Sequence, residues 1–307
     1  RYTTIKPIKI MTNRLFHILM VFAMIFWGAS WISTKVLTNY VNEYELVFLR
    51  MGICFISMFP LICFFKLSFK FDLKSFIFIL IASVILTLYS IVMFLGVQHG
   101  TASFGGALVT TLIPIITFIL IALLNKKSIS LKHSFALILG AFGVLNMLNI
   151  WEFNIDEMFA KDNIYFLLAA FLWSILTIIT SKATKINAFV FTFYTYIVSS
   201  FTLFIFFIDG NIFYKVVNFD FIFWFNIFVI TILSTTFATS IYFIGASKLG
   251  AKEVSSYIFL VPASALSIGA IFLGEKITFN VIVGTIFTII AIYILNNLNL
   301  FRLFKKN

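Results

Sequence analysis

Hydroxyl and indole side chains recur at intervals of three and four residues within several apolar segments of this 307-residue chain. Residues at that spacing share one face of a helix, so each segment would present a stripe of neutral hydrogen-bonding groups. Together the stripes predict a cavity that holds a small neutral or zwitterionic solute. The candidate lining residues are Trp27, Ser30, Trp31, Thr34, Thr87, Tyr89, Ser90, Thr110, Thr111, Trp173, Thr177, Thr235, Tyr242, Ser256 and Tyr257. Each stripe alone also fits a purely structural role, because a helical hydroxyl can bond the carbonyl four residues earlier or a neighbouring helix.

Two cations, Lys35 and Arg50, stand near the ends of apolar segments and are candidate anchors for an anion. An arginine in hydrocarbon costs about 3 kcal/mol unless it is paired or solvated. One interpretation is that Arg50 reaches the outer interface and meets Glu43, Glu45 or carbonyls at helix ends. The other is that it anchors a carboxylate or phosphate of the solute. The same two interpretations apply to Lys35.

Catalytic and metal-binding chemistry is not indicated. The sequence has no HExxH, no GxSxG and no glycine-rich phosphate loop, and His17, His99 and His133 are too scattered for a metal site. The 11 Asp and Glu residues all fall in connectors or at the ends of apolar segments, which disfavours a proton or sodium site built on a buried acid. We therefore predict no catalytic residue, no metal and no cofactor, in a protein that is not an enzyme.

The composition shows which elements must position these side chains. Hydrophobic residues make up 62% of the chain and charged residues 11%, which leaves too little polar surface for a soluble globule. A helix of about 17 to 25 apolar residues crosses a bilayer. Ten such spans are predicted, at 15–34, 46–65, 75–95, 103–124, 131–149, 164–181, 188–208, 221–244, 253–273 and 278–298. The predicted fold class is an all-α integral membrane protein with ten transmembrane helices.

Basic residues in the connectors predict the orientation of these spans. With the N-terminus in the cytoplasm, 17 of the 22 Lys and Arg residues fall in inside segments and four in outside ones. Because positive charge collects on the cytoplasmic side, both termini should be cytoplasmic. The net charge of +11 is explained in this way and does not indicate nucleic-acid binding. We expect a multi-pass protein of a bacterial inner (cytoplasmic) membrane.

The chain also has the pattern of an internal duplication. Pro114 and Pro262 lie 148 positions apart at matching places, each within a set of five spans. Because five is odd, the two sets must face opposite ways, as is common in secondary transporters. Each proline should break its helix, free a carbonyl and turn nearby hydroxyls toward the centre. The predicted units are a cytoplasmic basic tail 1–14, a five-helix repeat 15–150, an outer linker 151–163, a second five-helix repeat 164–298 and a cytoplasmic tail 299–307.

Two stretches carry a resemblance to a known family. The first is an aromatic-Trp-Gly-small run that leads to a basic residue and then to an arginine, namely Phe26, Trp27, Gly28, Ala29, Ser30, Lys35 and Arg50. The second is Leu249, Gly250, Ala251, Ser255, Pro262, Leu273, Gly274 and Glu275. From about residue 18 to 297 the sequence resembles the ten-helix EamA-type branch of the drug/metabolite transporter superfamily. The first repeat departs from the pattern, with Asn125, Lys126 and Lys127 in place of Leu-Gly-Glu, and Tyr194 of the second repeat stands at the counterpart of Arg50.

The resemblance implies export or exchange of a small metabolite, such as an amino acid, a nucleoside or a xenobiotic, through a cavity lined by helices 1, 3, 4, 6, 8 and 9. Our leading hypothesis is an exporter, facilitator or exchanger that works by alternating access. Its partners would be that small-molecule substrate and membrane lipids, with no nucleic acid, and the protein would be a monomer or homodimer. The alternative is a lipid scramblase or a membrane scaffold that moves no solute. A hydrophilic groove open sideways to lipid would favour scrambling.

Overall fold

The computed structural model describes residues 13–99, 102–147, 149, 151, 163–273 and 278–296, and every regular element within these ranges is helical. The predicted tails 1–14 and 299–307, the linker 151–163 and the motif residues 274–275 lie almost wholly outside them. The helices are α1 (Asn13–Leu37), α2 (Glu43–Phe64), α3 (Leu73–His99), α4 (Ala102–Leu124), α5 (Leu131–Met147), α6 (Asn163–Lys182), α7 (Ala188–Phe206), α8 (Asn211–Val216), α9 (Phe221–Phe228), a π-helix (Val229–Thr239), α10 (Ser240–Leu249), α11 (Ala251–Ser256), a 3₁₀ turn (Tyr257–Leu260), α12 (Val261–Leu273) and α13 (Phe279–Leu295). The predicted all-α class is confirmed for the described residues.

Each predicted span overlaps one helix or a series of consecutive helical segments, with ends that differ by a few residues. Within the described ranges, six helices are long and apolar enough to cross a membrane by length and composition, namely Leu15–Leu37, Glu43–Phe64, Leu73–His99, Asn163–Lys182, Ala188–Phe206 and Phe221–Leu249. Three shorter apolar helices are Leu108–Leu124, Leu131–Met147 and Phe279–Leu295. The six-residue α8 was not predicted, because its sequence falls in a connector.

The counterpart helices α2 and α7 run in opposite directions. Near the start of α2, Tyr44 stacks on Phe207 with ring centroids 4.8 Å apart, and near its end Phe59 packs on Phe193 at 6.3 Å. The start of α2 therefore lies beside the end of α7, and the end of α2 lies beside the start of α7. The pair is antiparallel, which is what inversion of one five-helix set relative to the other requires.

The packing of the bundle is preserved when the two sets are exchanged. α1 packs against the π-helix and α12, and its counterpart α6 packs against α3 and α4. The last helices of the two sets also pair, and Asn146 near the end of α5 donates to the carbonyl of Asn280 near the start of α13 at 3.1 Å. Contacts that map onto one another in this way indicate a two-fold relation, so the predicted inverted repeat is confirmed.

Side chains at the helix starts explain why several helices begin where they do. Asn42 accepts a hydrogen bond from the backbone N–H of Glu45, while the Glu45 carboxylate accepts one from the backbone of Asn42, a reciprocal cap that fixes the first turn of α2. The same carboxylate lies 2.6 Å from the amine of Lys215 in α8. This hydrogen bond raises the pKa of the Lys215 amine. α8 is thereby held against the beginning of α2.

The two prolines behave differently. α4 continues through Pro114 without interruption, so the predicted break at Pro114 is wrong. A proline removes only one bond of the ladder, and the turns of α4 on either side are retained. Near Pro262 the helix does change form, since a 3₁₀ turn at Tyr257–Leu260 directly precedes α12. The predicted irregularity is thus found in the second repeat alone.

α5 and α13 approach each other through glycine. A Cβ atom added to Gly284 would lie 2.4 Å from the carbonyl oxygen of Gly143 and 2.4 Å from Cγ of Met147. Real Cβ atoms do not approach that closely, so the two backbones are in contact at this point. In lipid there is no hydrophobic driving force between helices, so they associate through close van der Waals packing, which small residues allow.

Gly284→Ala should therefore lower the melting temperature of the purified protein in detergent, because overpacking a tight contact costs about 1–3 kcal/mol. Gly210→Ala is the matched control, since a Cβ atom at Gly210 meets nothing within 4 Å. Thermal unfolding followed by tryptophan fluorescence compares the two variants with the wild type. A Gly284→Ala protein that melts with the wild type would contradict the close approach.

Candidate functional site

A small cavity of about 40 Å³ lies where helices of both repeats meet. This volume holds one or a few water molecules. Seven of its lining residues were predicted from the sequence, namely Trp27, Ser30, Trp31, Arg50, Tyr89, Thr110 and Trp173. Seven others were not among the candidates, namely Met93, Val109, Ile113, Ser234, Thr239, Ile258 and Val261. The cavity is thus enclosed by α1 to α4 of the first repeat and by α6, the π-helix, the 3₁₀ turn and α12 of the second.

Aromatic side chains form one wall of the cavity. Trp173 packs edge-on against Trp27 with ring centroids 5.2 Å apart, and it contacts Tyr89 at 4.6 Å. Tyr242 lies 4.9 Å from Trp27, and its hydroxyl shares a hydrogen bond of 3.0 Å with the hydroxyl of Thr177. Ring pairs of this kind contribute about 0.5–1.5 kcal/mol beyond the burial of their area. Tyr242 therefore supports the aromatic wall from behind and does not itself line the cavity.

The π-helix forms the wall next to Trp27. Its hydrogen bonds join residues five apart, so residues at that spacing share a face, and both Ser234 and Thr239 line the cavity. The Thr239 hydroxyl donates to the Ser234 carbonyl at 3.2 Å, and Nε1 of Trp27 donates to the same oxygen at 3.1 Å. Thr239 was not among the predicted residues, although it lies four residues after Thr235 and α-helical spacing would also have placed it beside that stripe. The available signal was the run of β-branched residues, which weakens an α-helix.

Arg50 lies seven residues into α2, about 10 Å along the helix, and lines the cavity. Its Nε donates to the hydroxyl of Thr235 at 2.7 Å, and that hydroxyl donates to the Ile230 carbonyl at 2.6 Å. Within the described ranges no carboxylate lies within 4 Å of the guanidinium, and Glu45 binds Lys215 instead. The interpretation that pairs Arg50 with an acid at the outer interface is therefore wrong, because Arg50 lies too deep.

Several buried polar atoms near the cavity have no hydrogen-bond partner among the residues that the structure describes. Two of these atoms, Nε1 of Trp173 and Oγ of Ser234, belong to residues of the cavity wall. Three others are the hydroxyls of Thr87, Ser90 and Thr111, which lie on α3 and α4, two helices that also contribute residues to the wall. Leaving a buried polar group without a partner costs about 1–3 kcal/mol. A polar guest would satisfy such groups, so this region is the part of the described protein best suited to bind one.

A second void of about 10 Å³ extends the cavity toward the end of α1. Thr34, Ser90 and Arg50 are its polar lining residues. Arg50 and Met93 line both voids, so these two side chains form the constriction between them. Two further predicted residues, Thr34 and Ser90, thus face a side compartment of the site.

The other predicted residues lie outside both voids, namely Lys35, Thr87, Thr111, Thr177, Thr235, Tyr242, Ser256 and Tyr257. Nζ of Lys35 donates to the carbonyls of Val97 and Gln98 at 2.7 and 3.3 Å, which satisfies the last turn of α3. These contacts give Lys35 a structural role and do not place it at the cavity.

Tyr257 and Ser256 close the bundle on the side where α1 begins. The Tyr257 hydroxyl is hydrogen-bonded to Nδ1 of His17, which joins the 3₁₀ turn to α1. Oγ of Ser256 accepts a bond of 2.6 Å from the side chain of Asn296 just after α13. Both predicted residues therefore hold this end of the structure together.

Clusters of metal-ligating side chains do not occur in the described part of the chain, where no three His, Cys, Asp or Glu residues come together. Of the two cysteines, Cys63 is exposed and Cys54 is buried, with its thiol directed at the Thr231 carbonyl at 3.3 Å. The residues that line the two voids offer neutral donors, neutral acceptors and one guanidinium to a guest.

Comparisons with known proteins agree with this architecture. The model of the EamA-like transporter family matches residues 14–149 and again residues 161–297. One solved crystal structure, described only as that of a protein, aligns with a TM-score of 0.68 at 14% identity, over 92% of this chain and 96% of that chain. At this identity the likeness is one of fold alone. A search of curated proteins gives no match.

Thr235→Val should destabilise the protein by about 1–2 kcal/mol more than Thr231→Val, because only the Thr235 hydroxyl accepts a bond from a charged side chain. Thr231 is a matched control, since it is buried in the same π-helix and its hydroxyl bonds only the Ile227 carbonyl. Melting temperatures in detergent provide the comparison. Equal losses in the two variants would show that the Arg50 contact contributes nothing.

Proposed function

Because the chain belongs to the EamA-like transporter family, and so is a multi-pass membrane transporter of the drug/metabolite type, we propose that it moves a small neutral or zwitterionic metabolite. Transport needs no ATP and no cofactor in this proposal, and the protein is not an enzyme. The acids of the sequence lie in connectors or at the ends of the spans, which favours a facilitator, an exporter or an exchanger over a carrier driven by a buried carboxylate.

The observation that carries the proposal is a cavity shared by both repeats, with two buried polar atoms in its wall, Nε1 of Trp173 and Oγ of Ser234, that have no hydrogen-bond partner among the described residues. A packed core pairs almost all of its buried polar groups. Within a membrane no surrounding solvent can satisfy the remainder. A polar guest held between the repeats would supply the missing partners, and the aromatic rings beside it would pack against its apolar part.

The size of the cavity favours alternating access. About 40 Å³ is far below the roughly 300 Å³ at which ordinary ligand sites begin. The structure is therefore closed around its centre, and a bound metabolite requires separation of the walls. Met93 and Arg50 restrict the cavity on one side, and the contact between His17 and Tyr257 closes the bundle on the other. Rocking of one repeat against the other would open these two sides in turn.

Arg50 favours a substrate that carries a carboxylate. Its Nε is bound to Thr235, and the two terminal amino groups have no partner among the described residues. A guanidinium in that state offers a bidentate fork that fits a carboxylate. The ring faces of the tryptophans and of Tyr89 can attract an ammonium group. An amino acid satisfies both requirements and remains a zwitterion, so it is the substrate class we favour.

For the membrane topology we propose ten spans with both termini in the cytoplasm of a bacterial cell, on the basis of the positive charge in the predicted inside connectors. The repeats would comprise residues 15–150 and 164–298, joined by the outer linker 151–163. Phe221–Leu249 would form the eighth span, and the ninth would be built from α11, the 3₁₀ turn and α12.

Lipid scrambling is less well supported. A scramblase needs a hydrophilic groove that opens sideways, whereas the groove between α4 and α5 is lined by apolar residues and Ser134. The polar groups described above lie in the interior of the bundle instead.

The substrate class can be tested by thermal-shift measurements on the purified protein with amino acids and with the corresponding amino acid amides. An amino acid that binds should raise the melting temperature, and its amide should not. Arg50→Gln should raise the amino acid concentration needed for the same thermal shift at least about tenfold, since a charge-assisted bidentate contact is lost. Lys35→Gln is the control. It also removes one positive charge, but at a residue that does not line the cavity, so its thermal shift should equal that of the wild type. Equal shifts by acids and amides would rule out the carboxylate anchor.

Transport itself can be tested in proteoliposomes with the radiolabelled form of an amino acid identified in that screen. Trp31→Ala should reduce exchange at least about tenfold because it removes a wall of the cavity. Trp151→Ala is the control, since Trp151 is 63% exposed and does not line the cavity. Exchange that is unchanged by Trp31→Ala in correctly folded protein would remove the cavity from the pathway.

A further inference from the structure

The outer surface carries a groove of about 410 Å³ between α4 and α5. The groove shares no lining residue with the small central cavity. Its lining is apolar apart from one hydroxyl and consists of Ile115, Ile119, Ile129, Ser134, Leu137, Ile138, Ala141, Phe142 and Leu145. The six residues from α5 form two rows at steps of four, 134/138/142 and 137/141/145, which are offset by three residues, so they share one face of the helix. The result is a continuous apolar channel along the surface of the bundle.

The groove leads to a basic rim. A second depression of about 450 Å³ shares Ile119 and Ile129 with the groove, and it adds the side chains of Lys126 and Lys127. Lys126 has a positive φ of 51°, and the backbone N–H of Lys127 bonds the Ala122 carbonyl at 2.9 Å, which closes the end of α4. Both lysines are exposed, and no acid in the described ranges pairs with either.

The length of the groove matches one leaflet of a bilayer. Ser134 and Leu145 lie eleven residues apart on α5, a distance of about 16 Å along the helix axis. The hydrocarbon core of a bilayer is about 30 Å thick, so the groove runs from the membrane surface to the midplane. An acyl chain that enters from the surface would have this reach, and its headgroup would stand beside the two lysines.

We propose that this groove binds an anionic phospholipid, with an acyl chain between α4 and α5 and the phosphate group against Lys126 and Lys127. Basic residues at the membrane surface attract anionic headgroups, and the apolar lining takes up the chain. A second copy of the protein fits less well, because a symmetric contact through this groove would bring the two lysine pairs together. The lipid site lies on a different face of α4 from Thr110 and Ile113, so its existence does not depend on the proposed transport.

The test is native mass spectrometry of the intact protein in detergent, titrated with phosphatidylglycerol or with phosphatidylcholine of the same acyl chains. The wild type should retain phosphatidylglycerol preferentially. The double variant Lys126→Gln/Lys127→Gln should bind it about tenfold more weakly, with binding of phosphatidylcholine unchanged. Ala141→Phe should block the groove and reduce the binding of both lipids.

The matched control is Lys66→Gln/Lys70→Gln, which removes the same charge after α2, where Lys66 has the same φ of 51°. This control should bind phosphatidylglycerol as the wild type does, and melting temperatures show whether each variant is folded. If both double variants weakened phosphatidylglycerol binding equally, the effect would come from overall charge, and the proposed lipid site would be overturned. Binding that is unaffected by Ala141→Phe, or a dimer that Ala141→Phe dissociates, would overturn it as well.

Discussion

A polar group within the membrane must find its partner inside the protein, and this constraint governs how the sequence is arranged. Most buried hydroxyls meet it locally, as when Ser83, Thr180 and Thr195 each donate to the carbonyl four residues earlier in their own helices. The wall of the central cavity departs from this rule at Trp173 and Ser234. These two are among eight such atoms in the described residues, and they lie where helices of the two repeats meet.

The two-fold relation of the repeats does not extend to the chemistry of the cavity. The eighth segment contains eleven residues of π-helix, whereas α3, its counterpart in the first repeat, is a regular α-helix. Arg50 contributes the cationic group of the cavity, while the corresponding Tyr194 donates its hydroxyl to the Phe69 carbonyl in a connector. The cavity is therefore polar and cationic on the side of α2 and the π-helix and aromatic between α1, α3 and α6. This difference between the two sides agrees with the proposed amino acid substrate, whose carboxylate and ammonium groups would meet different walls.

The sequence predicted the helices and the inverted repeats because apolar length and connector charge follow from the bilayer alone. It also identified Trp27, Trp31 and Trp173, which share helix faces with hydroxyl residues at steps of three and four, and Tyr89, which lies beside such a stripe. It left out Thr239, although Thr239 is four residues after the predicted Thr235. Local spacing does not reveal that in the π-helix Thr239 shares the cavity face with Ser234. The partner of Arg50 depends on the packing of α2 against a helix some 180 residues later, which no local pattern encodes. The closed state of the cavity is a property of the tertiary packing and has no signal in the sequence.

The glycine contact between α5 and α13 has a mechanical consequence. Two backbones that touch at Gly143 and Gly284 have no side-chain layer that could yield or repack between them. Together with the hydrogen bond from Asn146 to Asn280, this leaves the pair little freedom to slide or separate. Neither helix contributes a residue to the central cavity. In the alternating access proposed above, this pair would serve as the fixed part of the bundle, about which the remaining helices pivot.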